Sequence, residues 1–153
     1  MRGFLGGWGI RLVIIGAIIV GGLIFRDRIS GNAAELKVGD CFDTPTTADA
    51  TVGDVQHHPC TEAHTAEVFF VGDHPAANGA AILNQDDVFG YAMDTCLPAL
   101  NTYTGTDVAA EGKYDMSAFY PADEDWNKGE RGVTCYAILL DGGTMTSSIK
   151  AAP

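Results

Sequence analysis

The side chains best suited to chemistry stand close together in this chain. VQHHPCTEAHTAEV, residues 55–68, holds His57, His58, Cys60, Glu62, His64 and Glu67. Imidazole, thiolate and carboxylate groups bind zinc and move protons near neutral pH. A metal needs several of them aimed at one point, and the spacing argues against that. Adjacent residues on a strand face opposite ways, so His57 and His58 cannot share an ion. Cys60 has no thiolate to offer if it sits in a disulfide. His64 and Glu67 remain, too few for a closed zinc site, and no HExxH motif is present. The expected role of this pair is to hold the entrance of the strand TAEVFFV (65–71). The chemical alternative is a hydrolase or metal-dependent enzyme built on His64 and Glu67. No catalytic residue, metal ligand or cofactor is assigned.

Two further stretches resemble sites. In DEDWNKGERG (123–132), Asp123, Asp125 and Asn127 follow the first, third and fifth positions of a calcium loop. Lys128 stands where that loop needs Gly, and Thr134 where it needs Glu. The plainer expectation is a capped helical turn, with Trp126 packed on the core, Gly129 ending the turn, and Arg131 paired with an acid. Alternatively, Trp126 and Arg131 form an exposed anchor for a partner protein. Ser147-Ser148-Ile149-Lys150 fits SxxK, but that chemistry requires SDN and KTG elements, which the sequence lacks.

The positioning elements follow from pattern. LVIIGAIIVGGLIF (12–25) is an uninterrupted apolar run, and extending it back to residue 3 adds Arg11 as the only charge. That length suits one transmembrane helix with Arg11 reaching for the headgroups. Arg26-Asp27-Arg28 and the lack of a small-x-small site argue against cleavage as a signal peptide. Residues 1–28 carry four arginines against Asp27, a net +3, while the rest has five basic and nineteen acidic residues, a net −14. So acidic a domain is repelled by phosphate backbones, which excludes nucleic acid as a partner.

Cys41, Cys60, Cys96 and Cys135 all follow the apolar run, and none forms a CxxC pair. An even, widely spaced set behind a membrane-targeting segment reads as two disulfides in an oxidising compartment. This places the N-terminus in the cytoplasm and the C-terminal domain outside the cell membrane. Four cysteines allow three pairings. Cys41 and Cys60 flank a predicted hairpin, whereas Cys96 lies on the apolar stripe of a helix that should cover the strand holding Cys135. The expected bonds are Cys41–Cys60 and Cys96–Cys135, worth about 3 and 4 kcal/mol by loop-closure entropy.

Strands are predicted at LKVGDCF (36–42), TVGDVQ (51–56), TAEVFFV, MSAFYP (116–121) and VTCYAILL (133–140), with TMTSSI (144–149) a possible edge strand. From Asn84, a good N-cap, Phe89, Ala92, Met93, Cys96, Leu100 and Tyr103 recur at helical spacing, and Pro98 should kink that helix. The fold class is α+β: a small, mostly antiparallel sheet with one packed helix and two disulfides. The domains are an anchor at 1–28, a linker at 29–35 and an extracytoplasmic domain at 36–150.

LKVGDCF, HPCTEAHTAEVFFV, TCLPALNTYTG and FYPADEDWNKGERGVTCYAIL, in that order, resemble the septum-formation domain family of actinobacteria. Glu130 stands where that family more often carries Asp, and the N-terminal lead is short. The resemblance implies a single-pass protein with an extracytoplasmic domain and a link to division septa. It implies no reaction. The expectation is a non-catalytic, membrane-anchored envelope scaffold whose partners are envelope or division proteins. A small-ligand module, with a pocket between helix and sheet, is a further alternative.

Overall fold

The computed structural model describes residues 30–45 and 54–152. The predicted anchor lies outside them. Among the described residues, no helix is long and apolar enough to cross a membrane.

Six strands form one antiparallel sheet: β1 (Ser30–Asn32), β2 (Cys41–Asp43), β3 (Asp54–His58), β4 (Ala66–Asp73), β5 (Tyr114–Phe119) and β6 (Gly132–Leu139), in the order β1-β3-β2-β4-β6-β5. The expected α+β class holds. LKVGDCF is only in part a strand. Gly39 takes a left-handed φ of 95°, Asp40 N–H donates to the Lys37 carbonyl, and the Asp40 carboxylate accepts from Lys37 N–H. This tight turn needs glycine and delays β2 to Cys41. TMTSSI is not a strand either. A single bridge joins Met145 to His64, and the chain beyond it is irregular.

β4 and β6 carry the core. Residues 133–137 of β6 are all buried, as expected for a strand covered on both faces. A bulge at Phe69 shifts β4 against β6, so that Val68 pairs with Tyr136 and Phe70 with Cys135. The extra residue turns both Phe69 and Phe70 to one face, where strict alternation would split them. That face meets the helices. The other buries Leu36, Phe42, Val55, Ala66, Val68 and Tyr136.

The helix comes in three pieces: α1 (Gln85–Tyr91), a π turn (Ala92–Cys96) and α2 (Leu97–Thr104). Asn84 caps it in a reciprocal box with Asp87. Pro98 has no N–H, and its ring crowds the carbonyl four residues back. Just before it the ladder changes step, and Leu97 N–H reaches the Ala92 carbonyl five residues behind. The inserted residue rotates the helix by about 100° between its two halves. The buried apolar and aromatic residues are therefore Tyr91, Cys96, Leu100 and Tyr103, with a step of five where the stripe predicted threes and fours. Phe89, 67% exposed, and Met93 face outward, contrary to the expected stripe. Two short α-helices follow, α3 (Val108–Glu111) and α4 (Asp123–Lys128), and a 3-10 turn at Ala33–Glu35 comes after β1.

Both disulfides form as expected, Cys41–Cys60 and Cys96–Cys135, with Cα separations of 5.3 and 6.0 Å. The second ties the last residue of the π turn to β6.

The rotated register has a direct test in urea denaturation. Leu100→Ala is expected to cost about 2–5 kcal/mol as a buried large-to-small change. Phe89→Ser should stay within about 0.5 kcal/mol, as an exposed substitution does. A large loss from Phe89→Ser would restore the uninterrupted stripe.

Candidate functional site

His64 and Glu67 are both fully buried, at 0% exposure. Glu67 lies on β4, opposite Cys41 of β2 on one side and Ala137 of β6 on the other. An ionised carboxylate at such a place needs hydrogen bonds to replace water. Three neutral donors supply them. The Tyr103 hydroxyl donates to Oε1 at 2.6 Å, the Ser148 hydroxyl to Oε1 at 2.5 Å, and Ile149 N–H to Oε2 at 2.8 Å. The phenol of Tyr103 is held protonated well above its ordinary range, chiefly by burial and next by its bond to Glu67.

His64 precedes β4. Its backbone exchanges two hydrogen bonds with Met145, at 3.0 and 2.8 Å. Its Nδ1 lies 2.8 Å from the Glu62 carbonyl. A carbonyl only accepts, so Nδ1 carries the proton, and a neutral ring then has its lone pair on Nε2. Nε2 is buried with no hydrogen-bond partner. His64, Glu67 and Cys41 each offer one donor atom, and the three atoms lie within 4.8 Å of one another. In the disulfide form the Cys41 sulfur is already bonded to Cys60.

The rest of the histidine-rich stretch disperses. His57 and His58 pair with Phe42 and Cys41 at successive register positions, so they project to opposite faces. His58 Nε2 meets the Asp43 carboxylate at 2.8 Å. The pattern pointed to His64 and Glu67 as a pair but missed what completes the site. Tyr103 was legible as the one stripe residue with a polar tip. Ser148 and Ile149, more than eighty residues from Glu67, had no local signal.

Trp126 and Arg131 do not form an exposed anchor. Trp126 is 2% exposed, and its indole N–H donates to the Ala80 and Ala81 carbonyls, both at 3.1 Å. Arg131 stacks 3.9 Å from the Trp126 ring. It bonds no acid. Its guanidinium donates instead to the carbonyls of Ala76, Ala77, Trp126 and Glu130. A cation with several fixed donors can be satisfied by backbone dipoles, which the expectation of an ion pair overlooked. The capped turn is present: DEDWNK is α4, ended by Gly129 at a φ of 102°. The SxxK residues lie on irregular chain rather than on a helix, and Ser148 is committed to Glu67.

A groove of about 610 Å³ lies between α1, the π turn and the outer strand β5. Val88, Phe89, Ala92, Met116 and Tyr120 make it mostly apolar. It occupies the place expected for a pocket between helix and sheet.

A family model described as septum formation matches residues 38–151, most of the chain. The chain belongs to the septum formation family. The match begins at the Gly39 turn and ends beyond Ile149, so the septum formation domain includes both the Glu67 site and the segment that closes it. Comparison with curated proteins and with solved structures returns no match.

Two measurements probe the domain's buried charges. Tyr103→Phe removes a hydrogen bond to a carboxylate and should cost about 1.5–3 kcal/mol in urea denaturation; a neutral result would mean that the bond adds nothing. His74 packs against Tyr91 and Trp126, and burial lowers its pKa, with Arg131 adding to the shift and Asp87 opposing it. The unfolded chain thus takes up a proton that the folded one resists, and stability falls as pH drops below about 6.5. His74→Asn is expected to flatten the decline of Tm between pH 7 and 5, and an unchanged slope would assign the decline to other groups.

Proposed function

We propose that this chain is a membrane-anchored, extracytoplasmic envelope domain that holds partner proteins in septum formation or cell division and performs no catalysis itself. Membership of the septum formation family supports the process. The observation that carries the scaffold reading is that the strongest candidates for chemistry are turned inward. His64 and Glu67 have no exposed surface, and every hydrogen bond to the Glu67 carboxylate comes from the domain itself. A general base must reach the proton it takes from a substrate, and a carboxylate enclosed in this way is used to hold the fold. The apolar run supports a membrane anchor at residues 1–28, and the two disulfides support placement on the oxidising side of the membrane. The surface left for partners is acidic, because nineteen of the twenty acids lie beyond the anchor.

Two measurements on the full anchored chain test this reading. In vivo crosslinking is expected to capture division or envelope-assembly proteins; recovery of abundant envelope proteins alone counts against a specific role. His64→Ala and Glu67→Ala are expected to impair function only as far as they unfold the domain. A variant that stays folded, keeps its partners and loses function would support the hydrolase alternative.

A further inference from the structure

The lone pair of His64 Nε2 has no use in the disulfide-bonded protein. A buried acceptor left without a donor is costly, and one held in a fixed tautomer by a backbone carbonyl is what a metal-ligating imidazole looks like without its metal. A ring nitrogen of His64, an oxygen of the Glu67 carboxylate, whose donors among the described residues are all neutral, and the Cys41 sulfur lie within 4.8 Å of one another.

We propose that the Cys41–Cys60 disulfide covers a latent site for a zinc-type divalent cation, with Cys41, Cys60, His64 Nε2 and the Glu67 carboxylate as its four ligands. Two thiolates, one imidazole and one carboxylate form a donor set of the kind that tetrahedral zinc accepts. Cys60 and His64 stand four apart in sequence, and the disulfide already holds the two sulfurs side by side. Tyr103, Ser148 and Ile149 N–H would orient the carboxylate from behind, and the Glu62 carbonyl the imidazole.

Opening the site takes a dithiol as reductant. Cys41 is 2% exposed and Cys60 only half-buried, so the attacking thiolate meets the Cys60 sulfur. The sulfur–sulfur bond breaks, a mixed disulfide forms at Cys60, and Cys41 leaves with the electron pair. The second thiol of the reductant then displaces Cys60 and closes the reductant's own disulfide. Two electrons and two protons have passed to the protein, giving two thiols. The cation binds both as thiolates and releases those two protons. The cation binds the reduced form alone, so reduction and metal binding favour each other. The inference does not depend on the scaffold reading, since a closed four-ligand site is structural.

The test uses the whole protein reduced by a non-coordinating phosphine, with alkylation and mass spectrometry to identify the freed cysteines. Cobalt(II) serves as the probe and zinc as its competitor. Reduced protein is expected to bind one cobalt ion with a thiolate-to-metal charge-transfer band that zinc abolishes, and oxidised protein none. His64→Gln and Glu67→Gln should each weaken binding at least tenfold, and Cys41→Ala/Cys60→Ala should remove the band. Zinc should also raise the Tm of the reduced wild-type chain, a result that needs no variant to fold. Reduced wild type that binds no cobalt, gains no stability from zinc, or binds as tightly in the His64 and Glu67 variants overturns the proposal.

Discussion

A carboxylate shut away from water must be given donors, and the arrangement of this domain turns on how Glu67 receives them. One comes from α2, two from the end of the chain, and the strand that carries Glu67 lies between β2 and β6. Sheet, helix and C-terminal segment therefore meet at a single side chain. None could move away without leaving the carboxylate short of a bond, at a cost of several kcal/mol for a charged group. The Met145 bridge to His64 and the bond from Ala151 N–H to the Tyr103 carbonyl hold the same segment on either side.

A second buried charge, Arg131, is treated in the opposite way. Carbonyl oxygens surround it, and the loop at 76–81 is drawn onto α4 by its guanidinium and the indole of Trp126. The domain thus buries an anion among N–H and O–H donors and a cation among carbonyls, and each charge organises irregular chain that has no sheet or helix to hold it. The disulfides add covalent ties, one of them beside Glu67. Cys96–Cys135 fixes the π turn against β6, and Cys41–Cys60 closes the turn that leads to His64.

The sequence made the strands of the core, the N-cap at Asn84, the helical turn at 123–128 and both disulfides readable, because each depends on neighbours in the chain or on a pattern that repeats. It concealed features that depend on one inserted residue. The bulge at Phe69 and the π turn at Ala92–Cys96 each shift a period by one, and a period read without the insertion assigns Phe89 to the wrong face. Pro98 marked a disturbance in the helix but not its form: a kink was expected, and a widened turn with a rotated face was found. His64 and Glu67 could be singled out, since two ionisable residues at the mouth of an apolar strand are conspicuous. Their partners could not, since Ser148 and Ile149 reach them only through the tertiary fold. Trp126 was expected on the core, with exposure only as the alternative, and Arg131 was expected to pair with an acid because acids surround it in the chain, whereas its partners are carbonyls that the fold brings to it.

The segment holding Ser148 and Ile149 also makes the burial of Glu67 depend on chain far from it in sequence. Glu67 and Tyr103 are both made well before Ser148, which lies 81 residues beyond Glu67. Until that point the carboxylate has one of its three donors, and the cheapest place for it is water. The strand bearing it is thereby discouraged from settling into the core of an unfinished chain. Burial becomes favourable once Ser148 and Ile149 are in place, so a single ionisable side chain in the middle of the sheet registers whether that distant segment has docked.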